Sequence, residues 1–236
     1  MRHCLLLALV AIAGCSDRTG QQTVDPRIKD TSRPLVLVTY PTEPPCSYVD
    51  GSGAIVGTDI DLAQRIAAKL GRKLVVEGVS FNDILPRLRA GTADLGIATI
   101  IITEARSRDV DFSAPYGIGG ACFLYSKDGR KPRMSQLSTL RVGVETDSVH
   151  DLYLCFHGGD PVRFTSLKDA LAALERKEID AVFFDSIQLK AKAETSGGRF
   201  VVTLLETKDR YGVAVDKRRP DVLAAANAVI AEGGAK

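Results

Sequence analysis

Strand-like and helix-like segments alternate along most of this chain, and that alternation limits its possible folds more than any other feature. Residues 35–38 and 74–76 are short apolar runs typical of buried strands. Between them, residues 61–70 carry apolar side chains at helical spacing, and Gly71 follows as a stop signal. A second series of the same kind begins at residues 140–144. Alternation of this type predicts an α/β fold in which helices cover mostly parallel sheets.

Two stretches of the chain repeat each other. Residues 80–99 and 166–185 align without a gap, and each reads as a capping serine, a helix and a buried strand. The repeat places Thr99 and Asp185 at equivalent ends of equivalent strands. Because open α/β sheets bind ligands beyond the carboxyl ends of their strands, we expect Thr99 and Asp185 to face a shared cleft.

The first 33 residues have the composition of an export signal followed by a tether. Arg2 precedes an apolar run over residues 5–13, shorter than the roughly 20 residues that a membrane-spanning helix needs. We predict a signal peptide over residues 1–14. The sequence Ile-Ala-Gly-Cys, ending at Cys15, is the pattern at which bacterial lipoproteins are cut and acylated. We expect an exported protein with a lipidated Cys15 and a tether to residue 33; an ordinary signal peptide ending beside a cysteine is the alternative.

Charge and motif content argue against several classes of function. The chain has 31 Lys and Arg residues against 29 Asp and Glu residues, so it offers no electrostatic footprint for nucleic acid. His150 and His157 do not stand at metal-ligand spacing, and no nucleophile elbow, phosphate loop or dinucleotide fingerprint occurs. We therefore predict no catalytic residue, no metal site and no cofactor.

The cysteines beyond Cys15 are few. They are Cys46, Cys122 and Cys155. An odd number in an oxidising compartment permits at most one disulfide. We expect each of the three to be a small buried apolar residue.

Several motifs in fixed order give the chain a family resemblance. They are Pro44-Pro45, Val56-Gly57-Thr58-Asp59-Ile60-Asp61-Leu62-Ala63, Thr103-Glu104-Ala105-Arg106, Val110-Asp111-Phe112-Ser113, Leu140-Arg141-Val142-Gly143-Val144, Ile179-Asp180-Ala181 and Tyr211-Gly212-Val213-Ala214-Val215. Over residues 35–231 the chain resembles the extracellular solute-binding proteins of polar-amino-acid ABC importers. The resemblance implies a periplasmic binding protein-like II fold. In it, two lobes, each a mixed and mostly parallel sheet flanked by helices, are joined by two crossover strands.

The resemblance also implies an organisation and a function. Lobe one is expected over residues 34–122 and 210–236, and lobe two over residues 123–209. The crossovers are expected near residues 120–126 and 205–211. Such a protein captures an amino-acid-like solute as a monomer and delivers it to an ABC permease. The sequence ends without the aromatic-rich terminal helix that most members carry.

The resemblance assigns roles to individual residues of the cleft. Arg106 is expected to bind the ligand carboxylate, since a guanidinium fork matches a carboxylate with two hydrogen bonds. The alternative is an ion pair between Arg106 and Asp109 or Asp111. Asp185, with a carbonyl near Thr99, is expected to accept the ligand ammonium. A helix-capping role is the alternative for Asp185.

Further expectations concern the rest of the cleft. Backbone N–H groups of Ser148 and Val149, at the start of a helix, are expected to complete the carboxylate site. Phe81 is expected to form an apolar wall, or else to belong to the core. Ile101 and Glu43 depart from the family pattern, which usually has a hydroxyl and an aromatic residue there. If Glu43 faces the ligand, it favours a cationic solute such as lysine, arginine or ornithine; the alternative is a Glu43 that points to solvent.

Two other functions are compatible with such a scaffold. Cyclohexadienyl dehydratases resemble this family and add a carboxylic acid in the turn after the residue equivalent to Asp185. Here that turn reads Ser186-Ile187-Gln188, so we do not expect an enzyme. A sensory binding protein that signals to a partner receptor remains open from the sequence.

The lipid anchor can be tested directly. If Cys15 is acylated, the exported protein should fractionate with membranes, and Cys15→Ala should release it into the soluble exported fraction. Fractionation and immunoblotting of the two proteins measure this. Equal membrane association of the parent and Cys15→Ala would contradict the lipoprotein prediction.

Overall fold

Two five-stranded sheets organise the described part of the chain, residues 33–233 of this computed structural model. The strands are β1 (Leu35–Thr39), β2 (Thr42–Glu43), β3 (Ser47–Val49), β4 (Ile55–Val56), β5 (Leu74–Gly78), β6 (Leu95–Gly96), β7 (Asp111–Phe112), β8 (Gly117–Gly119), β9 (Ala121–Ser126), β10 (Val142–Glu145), β11 (Val162–Phe164), β12 (Ala181–Asp185), β13 (Phe200–Val202), β14 (Asp209–Tyr211) and β15 (Ala214–Val215). The helices are α1 (Thr58–Lys69), α2 (Phe81–Arg89), α3 (Glu104–Ser107), α4 (Val149–Phe156), α5 (Leu167–Glu175), α6 (Ser186–Thr195) and α7 (Pro220–Gly233), with a 3₁₀ helix over Met134–Thr139. The signal peptide, Cys15 and nearly all of the tether lie outside these residues.

The two sheets share one plan. The first has the order β5-β1-β6-β15-β7, with β1 parallel to β5 and β6 and with β15 antiparallel to β6 and β7. The second has the order β11-β10-β12-β9-β13, with β10 parallel to β11 and β12 and with β9 antiparallel to β12 and β13. The expected α/β fold of two lobes with mixed, helix-flanked sheets is therefore confirmed.

Helix α1 shows how the apolar pattern builds the first lobe. Its buried face includes Ile60, Ala63 and Ile66, which recur at helical spacing and pack in the core of the first sheet. The helix begins three residues before the predicted position, directly after Gly57. It ends as predicted before Gly71, whose φ of 65° suits the left-handed stop position that glycine favours.

A terminal helix that the sequence pattern did not indicate closes this lobe. Helix α7 has no aromatic residue, and it buries Val222, Ala226 and Val229 in the same core as α1. Its alanine-rich surface lets two helices approach closely without bulky side chains. The lobe is thus built from segments near both ends of the described chain.

A buried ion cluster ties those distant segments together. Asp94, just before β6, pairs with Arg33 at 2.5 Å, with Arg72 at 3.6 Å and with Arg219. Its second carboxylate oxygen accepts the backbone N–H of Val36 at 2.9 Å. One carboxylate therefore fixes the entry to β1, the approach to β5 and the start of α7.

A narrow ribbon connects the two sheets. Strands β8 and β14 pair antiparallel, and each lies in the chain between a strand of the first sheet and a strand of the second. A Cβ atom at Gly120 would lie 2.0 Å from the carbonyl oxygen of Thr207, so only glycine permits this close approach. The ribbon lies close to the predicted crossovers, while the lobe boundaries after residues 122 and 209 stay predictions.

The cysteines divide by exposure. Cys46 and Cys122 are buried, and burial raises the pKa of each thiol to about 12. Cys155 is exposed on α4, so the expectation of burial is wrong for it. It lies on the exposed side of that helix, where its sulfur contacts Asp151 and Arg163. Among residues 33–233, no helix is long and apolar enough to span a bilayer.

Candidate functional site

A cavity of about 290 Å³ lies between the two lobes. All eight residues predicted for the cleft line it: Glu43, Phe81, Thr99, Ile101, Arg106, Ser148, Val149 and Asp185. They come from distant parts of the chain and from both lobes. The structure therefore brings together every candidate binding residue, although their roles toward a ligand stay proposals.

Arg106 is oriented by its own helix and by a neighbouring ring. Thr103 caps α3 by accepting the N–H of Arg106, and the guanidinium Nη1 donates to the carbonyl of Ile101 at 2.9 Å. The guanidinium carbon lies 5.3 Å from the centre of the Phe81 ring, within the range of a cation–π contact. Burial lowers the pKa of Arg106, and the nearby negative charge of Asp185 raises it.

The alternative role of Arg106, an ion pair with Asp109 or Asp111, is not observed. Asp109 pairs instead with Arg89 at 3.3 Å. Asp111 stands in β7, where its backbone pairs with β15. Phe81 contacts Tyr40 edge-on at 6.3 Å and faces the cavity, so it serves both as wall and as support for the guanidinium.

Thr99 has an uncommon backbone conformation at the mouth of the first sheet. Its φ is 46°, in the left-handed region that non-glycine residues rarely adopt. Its N–H lies 3.2 Å from Oδ2 of Asp59 and 3.1 Å from the hydroxyl of Tyr116, which donates to the same carboxyl group at 3.1 Å. Burial raises the pKa of Asp59 to about 6, while these hydrogen bonds act in the opposite direction.

Asp185 ends β12 and faces the cavity from the second lobe. Its Oδ1 accepts the hydroxyl of Tyr211 at 2.7 Å and lies 3.5 Å from Nε2 of His150. Although Asp185 occupies the N-cap position of α6, its side chain makes no capping hydrogen bond. The capping alternative is therefore wrong, and the carboxylate remains directed to the cleft.

The start of α4 also faces the cavity. Ser148 is the N-cap residue, and its hydroxyl accepts the N–H of Asp151 at 3.1 Å. The N–H of Ser148 itself makes only a long contact of 3.4 Å with the carbonyl of Glu145. Val149 opens the helix, where backbone N–H groups lack intrahelical partners.

Glu43 is buried, contrary to the alternative that it points to solvent. It is 7% exposed, and it accepts a hydrogen bond from Nε2 of Gln188 at 3.0 Å. Burial, followed by the nearby charges of Glu145 and Asp185, raises the pKa of Glu43 well above its usual range. The solvent interpretation failed because β2 and β3 turn this residue inward, a placement that the short segment did not reveal.

Other residues of the cavity were not predicted. Glu145 ends β10, and burial raises the pKa of its carboxyl group while a hydrogen bond from Tyr40 lowers it. His150 packs against Phe184 with ring centres 4.7 Å apart. The rule that identified Thr99 and Asp185 also applies to Glu145, since it stands at the carboxyl end of a parallel strand.

A family comparison agrees with this geometry. The family model of bacterial extracellular solute-binding proteins, family 3, matches residues 35–234. The chain belongs to this family. Its members are extracellular proteins that bind solutes, and a cleft between two lobes is suited to that function.

Individual members of the family are similar over most of the chain. An ABC transporter arginine-binding protein of Escherichia coli K12 is 29% identical over 187 residues, covering 76% of this chain and 75% of its own. A glutamine-binding protein of Geobacillus stearothermophilus is 26% identical over 234 residues, covering 90% and 89%. The arginine-bound form of a truncated ArgBP from T. maritima superposes with a TM-score of 0.78 at 32% identity, covering 85% and 96%.

No metal site accompanies this family site in the part of the chain from 33 to 233. The His, Cys, Asp and Glu residues there form no group of three suited to a metal ion. Three carboxyl groups of the cavity have organic partners instead: Glu43 contacts the amide of Gln188, Glu145 the phenol of Tyr40 and Asp185 the phenol of Tyr211.

The raised pKa of Asp59 predicts a measurable pH dependence of stability. Between pH 4 and 6 the folded protein keeps a proton that the unfolded chain has lost, so stability falls as pH rises and then levels off. In the ligand-free protein, the free energy of unfolding of Asp59→Asn should rise relative to that of the parent by about 2 kcal/mol between pH 4 and 6. Urea titrations at several pH values measure it.

Asp61→Asn is the matched control, because Asp61 is exposed on the same helix. It reports the effect of an Asp-to-Asn change on this helix away from the buried site. A pH dependence for Asp59→Asn no larger than that of Asp61→Asn would contradict the raised pKa of Asp59.

Proposed function

We propose that the chain is the solute-binding component of an ABC import system and that it captures an amino acid between its lobes. The observation that supports this most strongly is that Arg106 and Asp185 line the same cavity from opposite lobes. Arg106 binds the ligand carboxylate, because the guanidinium stays charged in a closed cleft. Asp185 accepts the ligand ammonium, and Tyr211 orients the carboxylate for it.

The remaining cleft residues complete the amino acid site. The left-handed turn at Thr99 directs its carbonyl to the ammonium, and Asp59 holds that turn. Backbone N–H groups at Ser148 and Val149 add to the carboxylate site from the second lobe. Ile101 forms an apolar surface beside the guanidinium that its carbonyl anchors.

A cationic side chain on the ligand fits the charge balance best. Glu43, Glu145, Asp147 and Asp185 line the cavity together with the single guanidinium of Arg106. Burying an unpaired carboxylate costs several kcal/mol, and a ligand cation offsets that cost. Among the similar proteins are arginine-binding proteins, which supports a basic amino acid as the ligand of this chain.

Export, anchoring and partners follow from the same role. We infer an exported protein, anchored to a membrane by a lipid on Cys15, that works as a monomer and delivers its ligand to a permease. It binds its ligand without converting it, since the turn after Asp185 offers Ser186 and the amide of Gln188 in place of a carboxylic acid.

Substitution of Arg106 tests the carboxylate site. Arg106→Ala should weaken binding of the preferred amino acid by about 2–5 kcal/mol, because it leaves a buried carboxylate without its partner. Calorimetry measures the affinity and circular dichroism checks the fold. Arg108→Ala, an exposed neighbour, is the control and should bind as the parent does. If Arg106→Ala also binds normally, the assignment is wrong.

The charge of the ligand is tested by thermal shift with basic, neutral and acidic amino acids. A ligand at 100 times its dissociation constant adds about 2.7 kcal/mol, which raises Tm by roughly 5–10 °C in a domain of this size. We expect that shift from the basic set. Binding should tighten as pH rises, because the ligand cation favours loss of the proton from Glu43.

Glu43→Gln should weaken the basic set selectively and flatten this pH dependence. A large shift from glutamine or glutamate, with none from arginine, lysine or ornithine, would exclude the basic-ligand proposal. The binding function itself would stand.

A further inference from the structure

Gln188 reaches from one lobe into the other. It lies in the first turn of α6, directly after the strand that ends at Asp185, and it is 3% exposed. Its Nε2 donates to Oε2 of Glu43 at 3.0 Å and lies 3.3 Å from Oγ1 of Thr99. Both acceptors belong to the first lobe, 145 and 89 residues away in the chain.

The amide of Gln188 presents its NH₂ group to the first lobe. The carboxylate form of Glu43 only accepts hydrogen bonds and suits this orientation. The carbonyl Oε1 of Gln188 is buried and has no hydrogen-bond partner among the described residues. The NH₂ group, which has hydrogen-bond partners, is therefore the end of the side chain that contacts the other lobe.

These contacts depend on the relative position of the lobes. If the cleft opens, Gln188 moves with the second sheet while Glu43 and Thr99 stay with the first, and both contacts are lost. The contact between Tyr211 and Asp185 differs, because Tyr211 lies in the connecting ribbon itself. Gln188 does not line the cavity, so a ligand need not displace it.

We propose that Gln188 is a positioning residue that latches the closed lobes and directs Glu43 into the cleft. Its amide engages one carboxylate oxygen and leaves the other for the cavity. The affinity measurement that tests this inference rests on the proposed binding function. The effect of Gln188 on closure of the lobes does not require a ligand. Gln188 thus lowers the free energy of closing the lobes that ligand binding must provide.

The test compares Gln188→Leu with the parent and with Gln136→Leu, a control for the same change elsewhere in the second lobe. Probes are L-arginine and L-glutamine. We expect Gln188→Leu to weaken whichever of them binds by about tenfold, the equivalent of one or two net hydrogen bonds. If both bind, the loss should be larger for L-arginine, because only the basic ligand also uses the position of Glu43. Gln136→Leu should retain the parental affinities.

A second variant separates a latch from a merely structural role. Gln188→Glu places a carboxylate against Glu43, so its loss of affinity relative to the parent should grow as pH rises from 5 to 8. A buried residue that only supports the fold would change Tm without this pH-dependent loss. Small-angle scattering of the ligand-free proteins supplies the readout without ligand: Gln188→Leu should have a larger radius of gyration than the parent.

The outcomes distinguish the two proposals. If the parent binds an amino acid and Gln188→Leu matches it in affinity and in radius of gyration, the latch is wrong and the binding function stands. If the parent binds neither probe, the amino acid assignment fails for these ligands and scattering alone decides the latch. An expanded ligand-free Gln188→Leu then supports it, and an unchanged one overturns it.

Discussion

The cluster around Asp94 joins the segments between which the chain leaves and re-enters the first lobe. Its three arginines come from the entry to β1, the approach to β5 and the start of α7. Between the second and third of these segments the chain leaves the first lobe, builds the second and returns. Two passages between the lobes follow, and between them lies the cleft. Such a buried cluster is costly to disrupt, because removing any one partner leaves a charge without compensation.

The cleft contains more negative charge than its own cationic side chains neutralise. Glu43 and Asp185 are buried and Glu145 is partly buried, while Arg106 is the cation that lines the cavity with them. Local hydrogen bonds from Gln188, Tyr211 and Tyr40 relieve part of the cost. The rest is relieved by protonation of a carboxyl group or by a cation that enters the site. On the proposed function, binding of a cationic ligand and uptake of a proton are two responses to the same excess of negative charge.

Local patterns predicted the fold and much of the site. The alternation of strands and helices indicated the sheets, and the repeat of residues 80–99 in residues 166–185 placed Thr99 and Asp185 at strand ends. Arg106 came from the family resemblance, since no spacing rule distinguishes it from other arginines. The orientation of Glu43 and its contact with Gln188 were beyond such reasoning, because they depend on two lobes meeting across 145 residues of chain. Helix α7 was missed because its alanine-rich sequence lacks a strong apolar stripe.

The ribbon of β8 and β14 has a mechanical consequence. Because both passages of the chain between the lobes run through this one hydrogen-bonded pair, any relative movement of the lobes must deform it. The close approach at Gly120 leaves no room for a larger side chain at this point. Opening and closing of the lobes are therefore recorded in the shape of one short ribbon, whatever solute fills the cleft.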